Sequence, residues 1–84
     1  MTHALKTWPE FFEQVAKGNK PFELRKDDRP FKEGDIVILQ EYDPKEEKYT
    51  GKELEFNIDY ILRDQPKMGL KPGYCIFGLK EKMD

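Results

Sequence analysis

The chain's 84 residues suffice for one domain and not for two, and its one cysteine, Cys75, can form no internal disulfide and has no other cysteine to share a zinc cluster with. A formal net charge of −2 argues against a general nucleic-acid coat protein, which is basic throughout. No stretch approaches the apolar length that crosses a bilayer, and the N-terminus lacks a basic-then-apolar leader pattern, so the expectation is a soluble cytoplasmic domain with no membrane partner, folding by packing alone.

His3 to Lys6 reads as a short strand. Thr7-Trp8-Pro9-Glu10 opens a helix: Thr7 is placed to cap a backbone N–H, and Glu10, three residues on, to return the bond. Pro9 falls in the first turn, where its missing N–H costs nothing. Trp8, Phe11, Phe12 and Val15 recur at i, i+3, i+4 and i+7 and form one apolar face for the core. Gly18 supplies a left-handed stop, so the spacing predicts a helix over Trp8–Lys17. Pro21–Lys26 alternates, with Phe22 and Leu24 pointing one way and Glu23 and Arg25 the other, as in a strand with one wet face. A loop follows over Lys26–Pro30, then a tight turn at Glu33-Gly34-Asp35.

Asp35–Tyr42 is rich in β-branched residues and is the most buried strand predicted. Pro44–Gly51 reads as a polar connection, with turn signals at Asp43-Pro44 and Thr50-Gly51. Lys52–Arg63 alternates most clearly. Leu54, Phe56, Ile58, Tyr60 and Leu62 share one face and Glu55, Asn57, Asp59 and Arg63 the other, with Ile61 as the exception. Asp64–Pro72 is a loop, and Gly73–Lys80 a last strand apolar on both faces. The expected fold is α+β and mainly β: a small barrel of about five strands, with the one N-terminal helix packed on an open side. Such closure hides strand edges that a flat sheet of this size would expose.

Charge is uneven along the chain. Lys17–Lys32 holds six basic and three acidic residues, so it carries +3 and the remainder −5. A local positive field on an acidic protein attracts one phosphate at one place. Within that stretch, Glu23 and Arg25 lie two apart on a strand and emerge on the same face, with Lys20 entering from the loop. Lys and Arg hold phosphate, and a carboxylate accepts from the N–H groups of a base edge. By spacing alone, Glu23 and Arg25 read as a surface ion pair of small energetic weight.

The run Gly18-x-Lys20-x-x-Glu23-x-Arg25 resembles the signature of ASCH domains, relatives of the PUA fold. His3-x-Leu5-Lys6, Trp8-Pro9-Glu10, Asp28-Arg29-x-Phe31-x-x-Gly34-Asp35, Tyr49-Thr50-Gly51 and Gly69-Leu70-x-x-Gly73-Tyr74 extend the likeness over nearly the whole chain. Together they resemble an uncharacterised family of small bacterial and phage ASCH-like proteins. The resemblance implies a β-barrel with a cleft between barrel and helix that takes RNA or a nucleotide. Carried over by position, Lys20, Glu23 and Arg25 line that cleft, with Lys6 and the Asp28-Arg29 loop beside it. Some relatives deacetylate N-acetylcytidine with a threonine nucleophile where this chain has Glu23, and a carboxylate does not reproduce threonine acyl transfer. Others are described as ribonucleases; on that pattern Lys20 and Arg25 stabilise developing charge and Glu23 moves a proton or holds a metal.

Three readings follow. The first is an RNA- or nucleotide-binding module with no cofactor and no metal. The second is a hydrolase acting on RNA or a modified nucleoside, with Lys20 and Glu23 as catalytic groups. The third is a protein-interaction accessory domain. His3 is expected as a strand residue with a satisfied hydrogen bond, and Trp8 as core despite its aptness for stacking a base. Asp27, Asp28 and Asp35 are explained by turn chemistry and Cys75 by packing.

Overall fold

A computed structural model describes residues 1–82. In chain order it contains β1 (Thr2–Thr7), α1 (Pro9–Ala16), β2 (Phe22–Lys26), β3 (Ile36–Asp43), β4 (Lys48–Arg63), a single 3-10 turn at Pro66–Met68 and β5 (Tyr74–Glu81). The five strands form one sheet in the order β1-β3-β4-β5-β2. The sheet curls into a half-barrel with the helix against it, so the fold is mainly β as expected. β1 runs parallel to β3, and every other neighbouring pair is antiparallel.

This order leaves β1 and β2 as the two edges, and α1 is the segment that joins them. The helix starts where Pro9 supplies a fixed φ and ends where Gly18 takes φ 81°, its N–H bonded to the Val15 carbonyl. It buries Phe12 and Val15 in one cluster with Leu5, Phe31, Val37, Leu39, Ile58, Ile61, Cys75 and Phe77. β3 and β5 contribute alternate residues, Val37 with Leu39 and Cys75 with Phe77, as a sheet with one inward face does.

The edges of the half-barrel are not joined by a backbone ladder. Two guanidinium groups cross instead: Arg25 Nη2 donates to the Lys6 carbonyl at 3.0 Å, and Arg29 Nη1 to the Ala4 carbonyl at 3.3 Å. Ala4 and Lys6 are alternate residues of β1, so their carbonyls face the same way, away from β3. These bonds satisfy acceptors that an exposed edge would otherwise offer to another chain.

The structure departs from the sequence expectations in five places. Thr7 does not cap the helix: Trp8 is the N-cap, without a side-chain bond, and the Thr7 hydroxyl lies buried beside Arg25. The helical face divides, with Phe12 and Val15 in the core and Trp8 and Phe11 half exposed. On β2 the polar residues face inward: Glu23 is 3% exposed, while Phe22 and Leu24 are 43% and 54% exposed. The reason is the edge position of β2, whose inner face looks into the hollow at the open seam rather than into a sealed core.

The polar connection shrinks to Pro44–Glu47, because β3 and β4 extend as a hairpin arm pairing Tyr42 with Tyr49 and Asp43 with Lys48. Asp43 Oδ1 accepts from the Lys45 and Glu46 amides and shapes the turn. Thr50-Gly51 is an irregularity within β4, with Gly51 at φ 95°. Finally, β4 gains one residue against β5 between Ile58 and Ile61. This bulge puts both isoleucines inside and leaves Tyr60 66% exposed, which accounts for the break in alternation at Ile61. The Ile61 N–H donates to Glu33 Oε2 at 3.3 Å.

Candidate functional site

The inward turn of β2 gathers three charged side chains at the open seam. Lys20 Nζ donates to Glu23 Oε1 at 2.8 Å and to the Phe22 carbonyl at 3.0 Å. Arg25 Nε donates to Glu23 Oε2 at 2.8 Å. Arg25 Nη2 donates to the Lys6 carbonyl and, at 3.2 Å, to Thr7 Oγ1. Both oxygens of the buried carboxylate are therefore held by cations. The side chains of Lys20 and Arg25 remain 21% and 24% exposed, against 4% for that of Glu23. Two cations around one anion leave the cluster with one net positive charge, presented outward and fixed in place from behind.

These residues form the charged wall of a cleft of about 470 Å³ between the end of β1, α1 and β2. Its other wall is aromatic. Trp8 and Phe11 stack with ring centroids 6.5 Å apart and planes 20° apart, 48% and 47% exposed. Lys20 Nζ is 5.2 Å from the Phe22 ring centroid and 5.9 Å from that of Phe11. An ammonium within about 6 Å of a ring face is attracted to it. A cleft with cations on one wall and exposed rings on the other suits a ligand that is anionic at one end and flat and apolar at the other.

Of the residues expected at the site, Lys6, Lys20, Glu23 and Arg25 line this cleft. The Lys6 ammonium lies 4.0 Å from the Tyr42 ring centroid and 5.9 Å from that of Tyr49, which meets Tyr42 edge-on at 5.0 Å. Asp28 and Arg29 are elsewhere. They line a smaller hollow of about 140 Å³ that shares only Arg25 with the cleft, and pair loosely with each other at 3.9 Å. Sequence reasoning missed Thr7, Phe22 and Leu24 as lining residues and assigned Trp8 and Phe11 to the core. The i, i+3 spacing of Trp8 and Phe11 is a signal of burial, yet both rings stand half exposed, and Thr7 lines the cleft from a buried position.

Other polar groups have structural work. His3 is buried, with Nε2 2.8 Å from Asp35 Oδ2, and its ring packs 4.7 Å from that of Phe31. Asp35 also accepts from the Lys32 amide, and chiefly the His3 bond holds its carboxyl below the usual carboxylate range. Arg63 clamps Asp27 with two bonds of 2.8 and 3.2 Å and reaches the Phe31 carbonyl. Cys75 is fully buried, and burial, with the nearby Asp27 charge, pushes its thiol pKa up. Among the described residues, no three His, Cys, Asp or Glu side chains come together as a metal site, and no helix is long and apolar enough to cross a membrane.

No curated protein matches the sequence. Residues 2–79, which include the cleft, both seam arginines and all but the end of β5, match the family model described as Domain of unknown function (DUF3850), and the chain belongs to that family.

Proposed function

We propose that this domain binds RNA or a nucleotide in the cleft between α1 and β2. One observation carries the reading: a buried carboxylate, Glu23, holds Lys20 and Arg25 in a cleft that the exposed rings of Trp8 and Phe11 also line. Lys20 and Arg25 hold a phosphate, and the rings stack a base, an interaction worth about 1–3 kcal/mol per base. Glu23 acts by orienting the two cations and not by reading a base, since it is buried and each of its oxygens faces a cation. The burial of Glu23 ranks binding above hydrolysis, because a general base must come within hydrogen-bond reach of the group it deprotonates. The likeness of Gly18-x-Lys20-x-x-Glu23-x-Arg25 to ASCH domains, and through them to the PUA fold, supports this reading. The single thiol, kept apart from solvent, fits a cytoplasmic location.

Trp8 is the only tryptophan, so its fluorescence reports on the cleft directly. Short RNAs and nucleotides titrated at low salt are expected to change that emission saturably. With about two phosphate contacts, log K falls with log salt at a slope of about −1.4 for a single strand. Arg25→Ala is expected to weaken binding at least tenfold. Failure of every RNA and nucleotide in a broad panel to bind, or an Arg25→Ala protein that binds as well as the wild type, overturns the proposal.

A further inference from the structure

Lys20 borders two concavities. Beyond it, on the side away from Trp8, lies a groove of about 540 Å³ between the C-terminal end of α1 and strands β4 and β5. Leu54, Phe56 and Leu79 line it; they are only partly buried where they pack against the core. Ala16 and Lys17 border it from the helix and Glu81 from β5. Both hollows fall in the size range of small-ligand sites, about 300–1,000 Å³. Neither is enclosed by the other, and Lys20 is the one residue lining both.

We infer that the ligand is a single-stranded RNA segment of at least two nucleotides, with its bridging phosphate at Lys20, one base in the aromatic cleft and the next base in the groove. This rests on the nucleotide-binding reading of the cleft and decides between its two ligand classes. A phosphodiester is the one anionic group in a strand with a base-bearing unit on each side, and Lys20 is the cation that joins two hollows of small-ligand size, whereas the hollow that Arg25 shares with the cleft measures only about 140 Å³. The groove offers an apolar floor and, in Lys17 and Lys20 against Glu81, a positive balance at its rim. Bases pack on such floors without sequence preference, because every base has a flat face. Lys17 is paired with Glu13 at 2.9 Å, with both side chains more than half exposed. A surface pair of that kind is weak and yields to a phosphate. A free mononucleotide in the cleft leaves the groove floor in water. A duplex keeps its bases stacked inward and reaches neither hollow.

The test compares each adenosine, uridine, cytidine and guanosine 5′-monophosphate with the corresponding dinucleoside monophosphate, by calorimetry at low salt. Both members of each pair carry one phosphate, and the dinucleoside carries less charge. At least one dinucleoside is nevertheless expected to bind ten or more times tighter than its mononucleotide. Ala16→Leu lays a branched chain over the groove from an exposed helix position, and Lys17→Ala removes the rim cation; neither touches the buried core. Each is expected to erase most of the dinucleoside's advantage while leaving the mononucleotide within about twofold of the wild type. The inference is overturned if dinucleosides bind no tighter than mononucleotides, or if both variants leave the dinucleoside affinity unchanged. In either case the mononucleotide still binds, and the cleft reading stands. Binding of neither class, nor of longer RNA, refutes the cleft reading itself.

Discussion

Glu23→Gln preserves the shape of the side chain and removes the charge on which Lys20 and Arg25 converge. Two unit charges about 4 Å apart attract by roughly 4 kcal/mol at an effective dielectric of about 20. Lys20 and Arg25 keep 21% and 24% of their side-chain surface in water. Screening at that exposure reduces the Glu23–Arg25 coupling to roughly 2–3 kcal/mol, between the small value of an exposed pair and the larger loss on breaking a buried one. A domain of this length has about 4–12 kcal/mol of stability in total, so the variant should unfold at visibly lower urea. The assay is a double-mutant cycle in urea with wild type, Glu23→Gln, Arg25→Met and the double variant. The cycle cancels the seam bonds that Arg25→Met also removes and isolates the pair. A coupling below about 0.5 kcal/mol would refute the reasoning, because Glu23 would then be buried without organising its neighbours.

The remaining predictions concern pH. The Asp35 carboxyl is held low, first by its bond with His3, so its contribution to stability is full above the unfolded value near pH 4 and is lost as pH falls through the native pKa. Asp35→Asn should remove that part of the acid limb in urea midpoints measured from pH 6 down to pH 3. The Cys75 thiol is raised by burial, so above the unfolded value of about 8.5 the unfolded chain ionises first and stability falls as pH rises toward the native pKa. Cys75→Ala should flatten that alkaline decline whatever its effect at neutral pH, and a thiol reagent should label the native wild type only at the rate of unfolding.

The order of elements was legible because each carries its own punctuation. Pro9 and Gly18 bracket the helix, and the Gly34 turn precedes a strand rich in Val and Ile. The charged trio was legible as a cluster, since a strand puts Glu23 and Arg25 on one face and Gly18 sets Lys20 just ahead of it. Which face turns inward was not legible. Alternation gives two faces, and hydrophobicity names the buried one only where a strand has sealed core on that side; at the seam, Glu23 goes in and Leu24 out. From sequence the hairpin arm reads as a loop, because a strand wet on both faces has no apolar period to detect. Ile61 was a visible irregularity in the pattern, and the bulge that explains it comes from pairing with β5, a partner that local sequence does not specify.

The side-chain seam has a consequence for why there is a cleft at all. Backbone pairing would draw the end strands to within about 4.8 Å of one another and leave room for nothing between them. Bridged by arginines, those strands stand off by the reach of a side chain, and the helix that spans them roofs a gap instead of capping a closed tube. Complete the barrel and the hollow vanishes; the opening exists because the last ladder is never zipped.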